Sequence, residues 1–209
     1  MARLLITGSS GLLGLNLALE AMASHQVIGA DRTMLKSAPF DIINADLLVE
    51  GEVNRILEQA KPDWLIHCAA LADLEACEED PDKARRLNTD LPGTLAKACK
   101  ARGIRMVQIS TDAVFDGTKS GVYTEQDEPH AVNVYSQTKL EAERAVLGAD
   151  PDAIVARVNF YGWSLAGRRS LAEFFFNNLM HNKSMSGYTD VFFCPMHATH
   201  LAQTLLRML

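Results

Sequence analysis

Arg3-Leu4-Leu5-Ile6-Thr7-Gly8-Ser9-Ser10-Gly11-Leu12-Leu13-Gly14 decides the fold. A short apolar run leads straight into a GxxGxxG turn, and helical periodicity follows from Leu12 to Ala23. In that order each glycine has a task. Gly8 permits the tight turn, Gly11 lets the backbone approach a pyrophosphate, and Gly14 lets the helix pack close to the strand. The helix start, with Ser10, Leu12 and Leu13 around it, presents unpaired N–H donors to an anion. A ligand-free glycine turn shares this local pattern, so the surrounding chain has to decide between them.

Further short apolar runs lie at Gln26 to Ala30, Trp64 to Cys68, Met106 to Ser110 and Ala153 to Val158. They alternate with helical periods at Gly51 to Gln59, Pro81 to Arg102, Val134 to Leu147 and Leu171 to His181. Such alternation predicts an α/β fold of the Rossmann type, a doubly wound parallel sheet with helices on both faces. Residues 1–158 form the dinucleotide-binding unit in this reading, and residues 159–209 an incomplete C-terminal substrate lobe. The second strand ends at Asp31, twenty residues after Gly11, where a carboxylate accepts hydrogen bonds from an adenosine ribose. Asp31 argues for NAD because its charge repels a 2'-phosphate, whereas the adjacent Arg32 can bind that phosphate and argues for NADP. Asp31 is equally an ordinary turn residue. Asp46, with Leu47 beside it, reads as an adenine contact or as a helix N-cap.

The composition narrows the function classes. The chain has 209 residues, with 20 Lys and Arg against 26 Asp and Glu, giving a formal charge of -6. It lacks the basic excess that phosphate-backbone binding needs, so nucleic acid is not an expected partner. Cys68, Cys77, Cys99 and Cys194 have no CxxC spacing, which argues against a zinc site or disulfide framework and suits a cytoplasmic setting. No apolar run reaches the roughly 18 residues that a spanning helix requires, so no membrane association is expected.

Tyr135-Ser136-Gln137-Thr138-Lys139 gives YxxxK in a helical segment, placing phenol and ammonium on one face. A phenol of pKa about 10 is a poor acid or base at neutral pH, and lowering it by about 2 to 3 pH units needs roughly 3 to 4 kcal/mol. A nearby ammonium can supply part of that; a Tyr packed on a Lys stem is the bland alternative. Ser110, Thr111 and Asp112 end the strand before it, where ligands of open parallel sheets sit. A Thr111 hydroxyl there can orient a substrate carbonyl, or serve as a turn or cap residue.

These residues together resemble the extended short-chain dehydrogenase/reductases. Gly8 to Gly14 is similar to their nucleotide motif, His67-Cys68-Ala69-Ala70 to their fourth-strand motif, Asn88 with Gly93 and Thr94 to their central helix, and Tyr135 with Lys139 to their catalytic pair. Within them, Ile109-Ser110-Thr111-Asp112-Ala113-Val114-Phe115-Asp116-Gly117 resembles the STDxVFDG signature of dTDP-4-dehydrorhamnose reductases. Tyr123, Glu125 and Pro129, Cys77, Glu78 and Pro81, and Gly187 to Asp190 with Pro195 extend the resemblance over most of the chain.

The resemblance implies NADPH or NADH as hydride donor and a 4-keto group on a nucleotide-linked deoxysugar as substrate. Thr111 is then expected to hydrogen-bond the keto oxygen, Tyr135 to protonate it, and Lys139 to lower the Tyr pKa while holding the nicotinamide ribose. Cys68, Ala69 and Ala70 are expected beneath the cofactor as small residues, with core packing against a helix as the other reading and the preferred one for Cys68, and Asn88 supports the helix that positions the site. His67 reads as a satisfied strand histidine. Asp112, Val114, Phe115, Asn159 and Trp163 are the expected substrate-side residues. Ala113 and the segment Asn159 to Trp163 depart from the family pattern, which leaves the sugar open.

Family members continue for several tens of residues beyond the segment matching Pro195 to Leu209. A final helix carrying Leu201, Leu205, Leu206 and Leu209 is therefore expected to expose apolar surface, for a homodimer or a docking partner. Two other functions share these motifs. One is a dinucleotide-binding regulatory subunit without turnover, similar to the beta subunit of methionine adenosyltransferase. The other is a sugar-nucleotide epimerase or dehydratase, although a dehydratase wants a carboxylate pair where Thr111 is followed by Asp112 alone.

Overall fold

The computed structural model describes residues 1–191 and 194–209. Six parallel strands form its main sheet: β1 (Arg3–Thr7), β2 (Gln26–Asp31), β3 (Asp41–Asn44), β4 (Trp64–His67), β5 (Arg105–Thr111) and β6 (Ile154–Val158). Their spatial order is β3-β2-β1-β4-β5-β6. Strand order reverses between β1 and β4, so a crevice opens there beyond the carboxyl ends of the strands.

β1 shows why the sheet is covered on both faces. Leu4, Leu5 and Ile6 have no solvent exposure, and alternate residues point to opposite sides. Leu5 enters a core with α2 (Glu52–Ala60) and α5 (Leu91–Lys100), through Ile56, Leu57 and Leu95. Leu4 and Ile6 enter the other core with α1 (Leu12–Ala21), through Leu13 and Leu17. The sheet and its two helical layers are therefore as the sequence predicts.

Three elements depart from the expected pattern. β3 is not among the apolar runs that the sequence shows, because this edge strand has four residues and exposes Asp41 and Asn44 at its ends. The predicted helix from Pro81 to Arg102 is instead α4 (Pro81–Arg85), a π turn over Arg86–Asp90, and α5. A short α3 (Leu74–Glu79) precedes it, capped by Asp73, whose side chain accepts from the Ala76 N–H.

Beyond β6 the chain forms β7 (Phe160–Tyr161), α7 (Leu171–Met180), β8 (Met196–His197) and α8 (Ala198–Leu206). β7 and β8 pair in parallel as a separate small sheet. α8 returns to the main unit and packs on α1, with Leu201 and Leu205 each only 1% exposed. Burying a leucine fully is worth about 1.5 to 3 kcal/mol, so the fold takes up this apolar face itself. The apolar surface expected to be exposed on the final helix is thus buried at Leu201 and Leu205 and partly buried at Leu206 and Leu209. α7 does expose a run of apolar side chains, with Phe174 47% and Phe176 49% exposed.

Candidate active site

The glycine loop closes over the β1/β4 crevice. Gly8 has φ +69°, and its N–H donates to the Ala30 carbonyl at 2.9 Å. A Cβ on Gly8 would lie 2.7 Å from the Ala69 nitrogen, and one on Gly14 would overlap the Gly8 carbonyl. Both positions are thus closed to any larger residue. Gly11 caps α1 with no side-chain acceptor, leaving first-turn N–H groups free for an anion. Leu12 and Leu13 point their side chains into the protein.

From β2, Asp31 accepts the Ser10 N–H on Oδ2 and the Thr33 N–H on Oδ1, each at 2.9 Å. The carboxylate therefore ties the glycine loop to β2, and each oxygen keeps a lone pair for a ribose hydroxyl. Arg32 is exposed beside it. Asp46 accepts the Leu48 N–H at 3.1 Å, a local turn, while α2 takes Gly51 as its N-cap; the N-cap reading of Asp46 is excluded. Leu47 lines a groove of about 610 Å³ with Arg86 and Arg102, on the α2/α5 side of the molecule and away from β5.

At the end of β4, Cys68 and Ala69 are partly exposed and Ala70 is exposed along the crevice. Burial pushes the Cys68 thiol up to about 12, against the pull of Lys139, so it stays protonated. His67 is 1% exposed, and its Nδ1 shares a 2.6 Å hydrogen bond with Thr7 Oγ1. Among the described residues its Nε2 has no partner, so the satisfied-histidine reading holds for only one nitrogen. Burial, then the charge of Lys139, pushes its pKa down to about 3, and it is neutral.

α6 (Val134–Ala149) starts from a capping box between Asn133 and Ser136. It carries Tyr135 and Lys139 toward the end of β5. Lys139 is 3% exposed and its Nζ donates to the Ile109 carbonyl at 2.6 Å. Burial lowers this ammonium to about 8, against the opposing influence of Cys68 and Glu143. Tyr135 is only partly exposed; burial raises its pKa, Thr111 opposes that, and Cys77 and Asp112 add to it. The expected lowering of the phenol by Lys139 is not what this geometry gives, because the ammonium is turned onto β5. Thr111 Oγ1 accepts the Ala113 N–H at 3.1 Å, starting a 3-10 turn over Asp112–Val114.

Asn88, on the π turn, joins these pieces. Its Oδ1 accepts the Leu71 N–H at 2.8 Å, and its Nδ2 donates to the Leu71 carbonyl at 3.0 Å and to Thr138 Oγ1 at 3.2 Å. Thr89 adds a bond to the Thr138 carbonyl at 2.8 Å. The loop after β4 and α6 are thereby held in one register.

The proposed substrate side is mixed. Asp112 Oδ2 accepts from Asn159 Nδ2 at 3.1 Å, bringing those two together. Val114 has no exposure and packs beneath the site rather than facing a substrate. Phe115 stacks on Tyr123, 4.3 Å between centroids, with the Arg157 guanidinium 5.0 Å from its ring. Trp163 stands apart from the β5 end, 56% exposed and edge-on to Phe176.

Two residues escaped the sequence reading. Glu143 is 5% exposed, accepts from Ser110 Oγ at 2.5 Å and pairs with Arg157 at 2.7 Å, bracing β5 and β6 under the site. Its signal was i+4 spacing from Lys139 on the buried face of α6. Glu173 on α7 is also fully buried, and it collects the N–H groups of Ser164, Arg169 and Ser170. Its capping-box partner Ser170 was the available sign.

Residues 2–209 match the family model described as RmlD substrate binding domain. The chain is 31% identical, over 98% of its length and 69% of the relative's, to a probable low-salt glycan biosynthesis reductase, Agl14, of Haloferax volcanii. It is 38% identical over 157 residues to methionine adenosyltransferase 2 subunit beta of Bos taurus, covering 75% of this chain and 46% of that one. A solved dTDP-4-dehydrorhamnose reductase from Clostridium acetobutylicum superposes with a TM-score of 0.86 at 29% identity, covering 98% of this chain and 69% of that chain. The match thus spans about two thirds of some relatives and under half of others. With a family model matched along nearly its whole length and the fold to go with it, this chain belongs to the RmlD substrate binding domain family.

Proposed function

We propose that this chain is an NAD(P)H-dependent reductase of the 4-keto group of a nucleotide-linked 6-deoxysugar. The observation that carries the reading is the convergence of Thr111, Tyr135 and Lys139 on the carboxyl end of β5, beside the glycine-loop crevice. The uncapped start of α1 and the side-chain-free space at Gly11 fit a dinucleotide's pyrophosphate, and Asp31 fits its ribose. When bound, the reduced nicotinamide supplies the hydride for the carbonyl carbon.

The chain's own residues handle the oxygen. Thr111 Oγ1 orients the keto group by donating to it. Tyr135 holds its proton at neutral pH, since burial raises its pKa, and delivers it to the oxygen as charge develops there. Lys139 remains an ammonium below about pH 8 and supports that charge from beneath. Asn88 and Glu143 fix the helix and strand that present these groups.

Loss of NADPH or NADH absorbance with dTDP-4-keto-6-deoxymannose tests the proposal directly. Turnover by the wild type that Tyr135→Phe lacks supports it, and wild-type rates in that variant would sink it. The relation to a methionine adenosyltransferase beta subunit favours a second reading, a dinucleotide-binding subunit without turnover. Stoichiometric cofactor binding with no oxidation across a panel of keto-sugar nucleotides decides for that one.

A further inference from the structure

Gly11 lacks a side chain at the place where a pyrophosphate approaches the backbone, so the volume a Cβ there would fill is the volume that the phosphates need. Two atoms outside Gly11 and its chain neighbours border that volume. One is the Gly8 carbonyl, 3.0 Å from the Cβ position; the other is Arg169 Nη1, at 4.0 Å. Arg169 comes from the loop before α7, far from the glycine motif in sequence.

The loop is held firmly enough to aim it. Glu173 accepts the Arg169 N–H at 2.6 Å, the Ser170 N–H at 3.0 Å and the N–H and hydroxyl of Ser164. Asn177 donates to the Gly167 carbonyl at 2.6 Å, and Asn16 on α1 donates to the Trp163 carbonyl at 3.3 Å. The backbone around Arg169 is thus tied to α7 and to the helix whose N-terminus faces the phosphates. Arg169 itself is exposed, and among the described residues its guanidinium pairs with no carboxylate. A cation over an uncapped helix start repels the free N–H groups and gains only when an anion separates them.

We infer that Arg169 closes over the glycine loop as a cationic clamp on the diphosphate of the bound dinucleotide. This rests on the dinucleotide-binding reading above and extends the site to the segment after β6. A guanidinium matches two phosphate oxygens as a fork, which an ammonium cannot do. Cofactor and sugar nucleotide both carry diphosphates; the position over Gly11 assigns Arg169 to the cofactor's.

Calorimetric titration of the whole chain with NADH, NADPH, ADP, adenosine and dTDP tests it, using wild type, Arg169→Gln, Arg169→Lys and Arg168→Gln. The expected result is a loss of roughly 10- to 100-fold for NADH, NADPH and ADP in Arg169→Gln, with adenosine unchanged. Arg169→Lys falls between, and Arg168→Gln, which removes the same charge one residue away, stays within about twofold. Equal binding by wild type and Arg169→Gln overturns the clamp while leaving the dinucleotide site standing. So does an equal loss in both Gln variants, which signals a diffuse field, or a loss confined to dTDP, which moves Arg169 to the substrate. Wild type that binds none of the dinucleotides or ADP overturns the underlying reading and the clamp with it. Thermal melts check that both Gln variants are folded.

Discussion

Replacing Lys139 with methionine should make the protein more stable at neutral pH while removing its turnover. In the native state the ammonium is 3% exposed and titrates at about 8 instead of 10.5. At 1.36 kcal/mol per pH unit, holding it charged costs roughly 3 kcal/mol. Methionine is similar in length, unbranched and apolar, so it fills the same channel without that cost. The Ile109 carbonyl loses its Lys139 donor but keeps Gln108 Nε2 at 2.9 Å. Losing one charged hydrogen bond, worth about 1.5 to 3 kcal/mol, offsets much of the gain and leaves about 0.5 to 2 kcal/mol, a few degrees in Tm for a chain this size.

The pH dependence identifies the cause. Below about pH 8 both the native and the unfolded wild type hold the proton, and the full penalty stands. Between about 8 and 10.5 the unfolded chain binds a proton that the native state has released, so wild-type stability rises with pH. The advantage of Lys139→Met should therefore be flat from pH 6 to 8 and shrink toward pH 10. Denaturant melts of both proteins across that range measure it. A variant less stable than wild type at pH 7, or an advantage that ignores pH, would refute the reasoning.

Tyr135→Phe should lower reductase turnover by about 10²-fold or more while dinucleotide affinity, read by titration, stays near wild type. Gly14→Ala forces a methyl into the Gly8 carbonyl and should cost about 1 to 3 kcal/mol, seen as a lower urea midpoint together with weaker cofactor binding. In Glu173, burial pushes the pKa up, but the N–H groups of Ser164, Arg169 and Ser170 and the Ser164 hydroxyl outweigh it and hold the carboxyl below 4.5. Its contribution is complete above pH 4.5 and lost as pH falls through the native value. Limited proteolysis within residues 163–173 should then accelerate in acid for wild type, and be fast at every pH in Glu173→Gln.

How much could be read from the sequence depended on whether a feature was local. Gly8, Gly11 and Gly14 announced themselves because strand, turn and helix follow without a gap, and Tyr135 and Lys139 because one helical turn sets their spacing. β3 did not, since four residues with polar ends carry too little alternation to stand out. The π turn is likewise invisible to a period of 3.6, which runs through Arg86–Asp90 with its apolar positions nearly in place. Lys139 shows a subtler failure: spacing put it on the face of Tyr135, but the depth of β5 decided where its ammonium ends. Arg169 depends on a loop folded back onto α1, and no local pattern reports such a contact; Glu173 was marked only by its capping-box partner Ser170. α8 looked unpartnered because its cover, α1, lies at the other end of the chain.

The π turn has a consequence for how this chain tolerates length changes. It stores one residue more than an α-helix from Pro81 to Lys100 needs, so a single deletion there would give a more regular and intrinsically sturdier helix. That same repair turns one half of the helix by about 100° relative to the other. Asn88 and Thr89 would swing away from Leu71 and Thr138, and the loop after β4 and the helix bearing Tyr135 would lose their common anchor. Helix regularity and site assembly pull in opposite directions at this one peptide, and because the same rotation carries Ala84 or Leu91 and Leu95 out of the core, a shortened chain would melt lower as well as work less.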